Sequence, residues 1–86
     1  MTMEDRALAA RQEQIDAQRE RDHELVRLRD EERLAAESVA TQAEVVFRND
    51  PSDGDPAVTF ARLRQRTAAY VAARDEADAF QREHGL

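Results

Sequence analysis

The stretch NDPSDGDP, residues 49–56, holds both prolines of the chain and one of its two glycines. Everything on either side of it is built largely from residues that favour helix. Proline removes a backbone donor and biases the residue before it away from the helical region, so two prolines this close end one helix and separate it from the next. The last two residues of the stretch also begin something. Asp55 suits an N-cap and Pro56 the first helical position, which predicts that a second helix starts there. Acidic residues around a turn between helices invite a calcium reading. Setting Gly54 at the sixth position of an EF-hand loop, however, places Pro51 where a side-chain ligand is needed and Phe60 where the bidentate carboxylate is needed. The stretch reads as a turn.

Working outward, the first arm has its own start signal. Thr2 with Asp5 fits the S/T-x-x-D/E capping pattern, and Glu4 and Asp5 suit the positive end of the helix dipole. Arg82 and His84 before Gly85 suit the end of the second arm. The prediction is an all-α antiparallel helical hairpin in a single domain spanning residues 1–86. Its helices cover about 3–49 and 56–84, or roughly 70 and 42 Å at 1.5 Å per residue. The inequality predicts an overhang of residues 1–19 on the first helix.

At about 100° per residue, Leu25, Leu28, Val39, Ala43 and Val46, with Ala35, Ala36, Ala40 and Phe47, share a sector of about 140° on the first helix. Ala57, Phe60, Leu63, Thr67, Tyr70, Val71 and Ala77 form the matching sector on the second. Folding about the turn sets Phe60 against Val46 or Ala43, Leu63 against Ala43, Tyr70 against Ala35 and Phe80 against Leu25. Leu25, Leu28, Val39, Ala43, Val46, Phe60, Leu63, Tyr70 and Phe80 are therefore the expected hairpin core. Alanines facing alanines would let the axes approach closely.

Several large aliphatics fall outside this seam. Leu8, Ile15 and Val26 align within about 20° of one another, turned about 90° from the expected core, and Leu34 and Val45 lie almost opposite it. A chain of 86 residues buries little apolar surface by itself. With no Cys, a disulfide cannot supplement it. We therefore expect these residues, with Arg19 and neighbouring charges setting register, to face another chain. The partner would be a second copy, giving a dimeric four-helix bundle or coiled coil, or a different protein.

Charge narrows the remaining classes. Nineteen acidic residues against thirteen basic ones give a net charge of −6, which disfavours nucleic-acid backbones. Arg62, Arg64 and Arg66 alternate and so cannot form one helical patch. His23 and His84 are far apart and match no metal-ligand spacing. Without Cys or a plausible catalytic His only carboxylates remain, and two helices make no pocket to tune them. An enzyme, a cofactor, a metal and a small-molecule substrate are thus all unexpected. No apolar run approaches the length of a membrane span, and MTMEDRALAA lacks a signal peptide's basic start and apolar block, which points to a cytoplasmic protein. All thirteen basic residues are Arg, a bias expected of a GC-rich bacterial or phage gene.

The hairpin outline and size resemble the small substrates of type VII secretion, which carry a Trp-x-Gly turn and a Tyr-x-x-x-Asp/Glu signal. Here the turn is NDPSDGDP, the chain has no Trp, and Tyr70 is followed four residues later by Arg74. The acid arrives one place late, at Asp75, about 100° further around the helix. The sequence therefore favours a non-catalytic interaction module. A secreted helical hairpin or a small scaffolding component is the alternative.

Overall fold

The computed structural model describes residues 2–86 and is an all-α antiparallel hairpin. Helix α1 spans Met3–Arg48, a short 3-10 helix spans Pro51–Asp53, and helix α2 spans Pro56–His84. No strand occurs among the described residues.

Local chemistry sets each boundary. The Thr2 hydroxyl accepts from the Asp5 N–H at 3.2 Å, and the Asp5 carboxylate accepts from the Thr2 N–H at 3.2 Å, so the box satisfies two donors left over at the start of α1. Helix α1 stops where Asn49 turns left-handed at φ 49°, a conformation Asn tolerates better than most residues. In the connection, the Asp50 carboxylate accepts from the Ser52 N–H, and Arg48 grips both carboxylate oxygens of Asp53 at 2.8–3.0 Å. Gly54 has φ 100° and ψ −162°, a region open essentially to glycine alone. Asp55 then caps α2 by accepting from the Ala57 N–H at 2.9 Å. At its other end α2 closes on left-handed Gly85, with the Leu86 N–H donating to the Gln81 carbonyl. This is the double hydrogen-bonded stop in which an apolar residue folds back over the last turn.

The seam between the helices is thin. Among the described residues only Leu28, 2% exposed, and Ala77, fully enclosed, are buried apolar residues; Gln42 and Thr59 are the buried polar ones. A central stripe of covered positions on each helix nonetheless follows a regular spacing, with other half-buried residues such as Arg29, Ala43, Val71 and Asp78 beside it. On α2 the stripe is Thr59, Leu63, Arg66, Tyr70, Ala73, Ala77 and Phe80, alternating steps of four and three. On α1 it is Arg21, Leu25, Leu28, Glu32, Ala35, Val39, Gln42 and Val46, with the same alternation. Such steps keep one stripe of each helix facing the other along their length, as in shallow ridge-and-groove packing.

Set against the expected core, the seam has turned by about 50° on α1 and about 70° on α2. Leu28 is buried, and Leu25, Val39, Ala43, Val46, Leu63, Tyr70 and Phe80 are half-buried beside or within the seam. Phe60 is a correction: it is 50% exposed, and the buried residue at its level is Thr59. The short turn holds the axes close there, and a threonine whose hydroxyl donates to the Pro56 carbonyl fits where a phenyl ring would force the helices apart. The sequence also set Ala36, Ala40, Phe47, Ala57 and Thr67 in the core, and all five are exposed.

The length difference leaves α1 projecting. Residues 2–16 are exposed throughout, and Ala17 is the first half-buried residue. The molecule measures 74 × 19 × 13 Å, with a radius of gyration of 21.2 Å, against about 12 Å for a compact chain of this length.

Candidate protein interaction surface

Three surfaces emerge from this frame: a cross-linked lower seam, a charged flank and an apolar flank. The lower seam is held by Arg29. Its guanidinium meets Glu32 at 2.8 Å on its own helix and reaches across to Asp78 at 2.9 Å and the Gln81 side-chain carbonyl at 2.6 Å. Gln81 in turn donates to the Leu86 carbonyl at 2.9 Å, which ties the end of α2 to α1. Glu32, through its hydrogen bond, and then Asp78 hold the Arg29 pKa above the ordinary guanidinium value. Near the turn, Gln42 spans the seam by donating from Nε2 to the Thr59 carbonyl at 3.0 Å.

Both helices wind in the same sense and α2 runs against α1. Residues displaced in the same rotational direction from the seam on each helix therefore emerge on the same flank of the hairpin. The Arg29–Asp78 pair crosses one flank, since both residues sit about 100° from the seam centre in that direction. On the other flank, Arg27 bonds Glu24 and Glu31 and feels the Glu76 carboxylate of α2. That second flank is charged. Arg27, Arg48, Arg62 and Glu76 lie there, with Leu34, Val45 and Val58 set singly among them. A further exposed ion-pair ladder, Arg33 with Asp30 and Glu37, runs along the outer side of α1.

The first flank is different above the Arg29–Asp78 pair. From that level to the turn it presents Ala36, Ala40, Ala43 and Phe47 from α1, with Phe60, Thr67 and Val71 from α2. These are uncharged, but Arg74, about 70° from the seam on α2 and one turn above Asp78, lies on the same flank. Phe47 is 93% exposed, and Phe60 stands at the same level across the seam with the Arg64 guanidinium 5.5 Å from its ring centre. A shallow groove on α2, lined by Leu63, Thr67, Ala68, Val71 and Ala72 with Arg64 and Asp75, runs along the edge between this flank and the back of α2.

The residues expected to meet a partner are scattered around this frame. Leu8, Ile15, Arg19, Val26 and Leu34 are exposed. With the seam turned, Leu8, Ile15 and Val26 lie about 150° from it, on the back of α1, rather than the expected 90°. Val45 differs from expectation too: it is half-buried, because the rotation brings it from the far side to the seam's edge. The structure does not gather the six into one patch. Leu8 and Ile15 belong to the arm, Val26 to the back of the hairpin, and Leu34 and Val45 to the charged flank.

Sequence reasoning missed Gln42, Thr59 and Phe47. For the first two a signal was present in the four–three spacing, but polar side chains occupied the positions and an apolar count passed over them. Phe47 was noticed and assigned inward. His23 is exposed, and the exposed His84 ring tilts against Phe80 at 4.4 Å between centres. Among the described residues no group of three or more His, Cys, Asp or Glu is placed to hold a metal, and no helix is long and apolar enough to cross a membrane. No protein family, curated protein or solved structure matches this chain.

Proposed function

We propose that this chain is a non-catalytic protein–protein interaction module that acts through coiled-coil-like helix–helix association, pairing with itself and engaging a second protein through its projecting arm. The observation that carries the reading is the capped arm. Residues 3–16 form regular helix with every residue exposed, and an isolated helix of that length is marginal in water. An arm that is capped at Thr2 and carries Leu8 and Ile15 on one line has the form of a helix completed by a partner.

The surface supports the same reading. The chain exposes 6753 Å², where a compact chain of 9.8 kDa would expose about 5,200 Å². The excess, about 1,500 Å², is of the size that specific protein–protein interfaces remove from solvent. Arm charges such as Asp16, Arg19, Glu20 and Arg21 supply both signs for choosing a partner and a register.

Full-length chain and chain lacking residues 2–16, used as baits in a bacterial lysate, test the proposal. The truncated bait should stay helical and lose the captured protein. Replacing Leu8 and Ile15 together by Ser should weaken capture at least about a hundredfold, since two buried aliphatics contribute roughly 3–6 kcal/mol. Identical capture by both baits, with rapid amide exchange throughout residues 2–24 in the complex, would refute it.

A further inference from the structure

We infer that the apolar flank carrying Phe47 and Phe60 is the seat of a second copy of this chain, packed turn beside turn about a two-fold axis parallel to the helices, so that both arms project from the same end. This rests on the interaction reading above and specifies its self-association.

Three observations select this occupant and this arrangement. The first is the division of charge between flanks. One flank interleaves Arg27, Arg62 and Glu76 with its aliphatics, whereas on the other the part nearest the turn is apolar, with Arg74 lower down, one turn above Asp78, and Arg64 at the outer edge beside Phe60. On that flank Phe47, the most exposed large apolar residue of the hairpin, stands level with half-exposed Phe60. A monomer has no use for two aromatic rings in water at one height on adjacent helices.

The second observation is complementarity. A two-fold axis parallel to the helices lays α1 of one copy along α2 of the other, in opposite directions, so every helix has antiparallel neighbours as in a regular four-helix bundle. Phe47 then meets Phe60 of the second copy. The small side chains of Ala36, Ala40 and Ala43 lie along Leu63, Thr67 and Val71, the wall of the α2 groove that faces this flank. At the lower end Arg29 comes opposite Asp78 of the second copy. The ion pair within each hairpin, 2.9 Å long, thereby becomes half of a closed ring of alternating charges. The other two-fold packing, with α1 along α1, cannot meet both conditions. Centred on the apolar half it strands the Arg29–Asp78 pairs at opposite ends, and centred on the whole hairpin it sets the phenylalanines against the charged half.

The third is area. The hairpin is 19 Å wide, and from Pro56 to Asp78 the flank runs about 33 Å. The flank thus measures about 630 Å² per copy, at the lower end of the range for specific interfaces. The arm contributes none of it.

The test uses the full chain, which lacks Cys. Light scattering after gel filtration should give twice the chain mass of 9.8 kDa. Replacing Phe47 and Phe60 together by Ser should raise the dimer dissociation constant by about a hundredfold or more, whereas the paired change Leu34→Ser and Val58→Ser on the charged flank should leave it within about threefold. A spin label on Ala10→Cys, in an otherwise unchanged chain, reads the arrangement without depending on how any core variant folds. Arms at the same end place the labels within about 40 Å; arms at opposite ends place them about 80 Å apart. A monomer at tens of micromolar, a dimer indifferent to the Phe47 and Phe60 change, or the long distance would overturn the proposal. A dimer lost on removing residues 2–16 but kept in the phenylalanine variant would overturn this face while sustaining the interaction reading. Loss of heterologous capture with the dimer intact would support both.

Discussion

Replacing Gln42 by Leu should make the hairpin more stable and less particular about its register. Gln42 is 5% exposed, and its one direct bond across the seam runs from Nε2 to the Thr59 carbonyl at 3.0 Å. That carbonyl lies in the first turn of α2 and keeps its in-helix partner four residues on, so removing the amide strands nothing. The substitution loses a hydrogen bond of net value about 0.5–1.5 kcal/mol. It relieves the cost of burying an amide, about 1–3 kcal/mol, and fills the space with a leucine of similar length. The balance favours the variant by about 1 kcal/mol, which for a domain of this size raises the melting temperature by about 4–8 °C. Register should suffer, because the amide is the seam's only directional contact near the turn, and lone buried polar groups in helical seams act as register keys. Circular dichroism melts of both chains at one fixed concentration read the first effect, since self-association would otherwise shift the midpoint. Amide resonances of residues 35–46 and 56–66 read the second, by broadening or doubling in the variant. A melting temperature lowered by 4 °C or more would show that the Gln42 bond contributes net stability and that its burial has been misjudged.

At the turn, Gly54→Ala should cost about 1–2 kcal/mol, measurable by urea unfolding. No atom lies within 4 Å of where the methyl would go, so the loss would come from backbone strain at φ 100° and not from a clash; an unchanged midpoint would mean the turn relaxes freely. Acid should also destabilise the fold in a definite window. The Glu24 pKa is held below its ordinary value chiefly by its hydrogen bond to Arg27, and that of Asp50 chiefly by accepting from the Ser52 backbone N–H. Groups whose folded pKa is depressed stabilise the fold above their unfolded pKa and lose that contribution as pH falls through the folded one. The melting temperature should therefore be flat near neutrality and fall below about pH 4. Asp50→Ala should be less stable at neutral pH and show a shallower acid slope, and an unchanged slope would count against this assignment.

The residues themselves determined the class of fold and where its helices begin and turn. Thr2 with Asp5, the NDPSDGDP run and Gly85 act through local backbone geometry, which needs no distant contact to operate. The projection of α1 follows from the difference in helix lengths and was legible for the same reason. Which face of each helix turns inward was not. Apolar residues on α1 spread over a sector of about 140°, wider than the stripe one neighbouring helix covers, so hydrophobicity alone left the rotation open by about 50–70°. Tertiary packing decided it by size and bonding: Ala35, Ala73 and Ala77 allow close approach, Gln42 finds the Thr59 carbonyl, Arg29 finds Asp78, and Phe47 and Phe60, too large for that narrow seam, remain on the flank. Side-chain volume at the point of closest approach is a property of two helices together, and it is written in neither one alone.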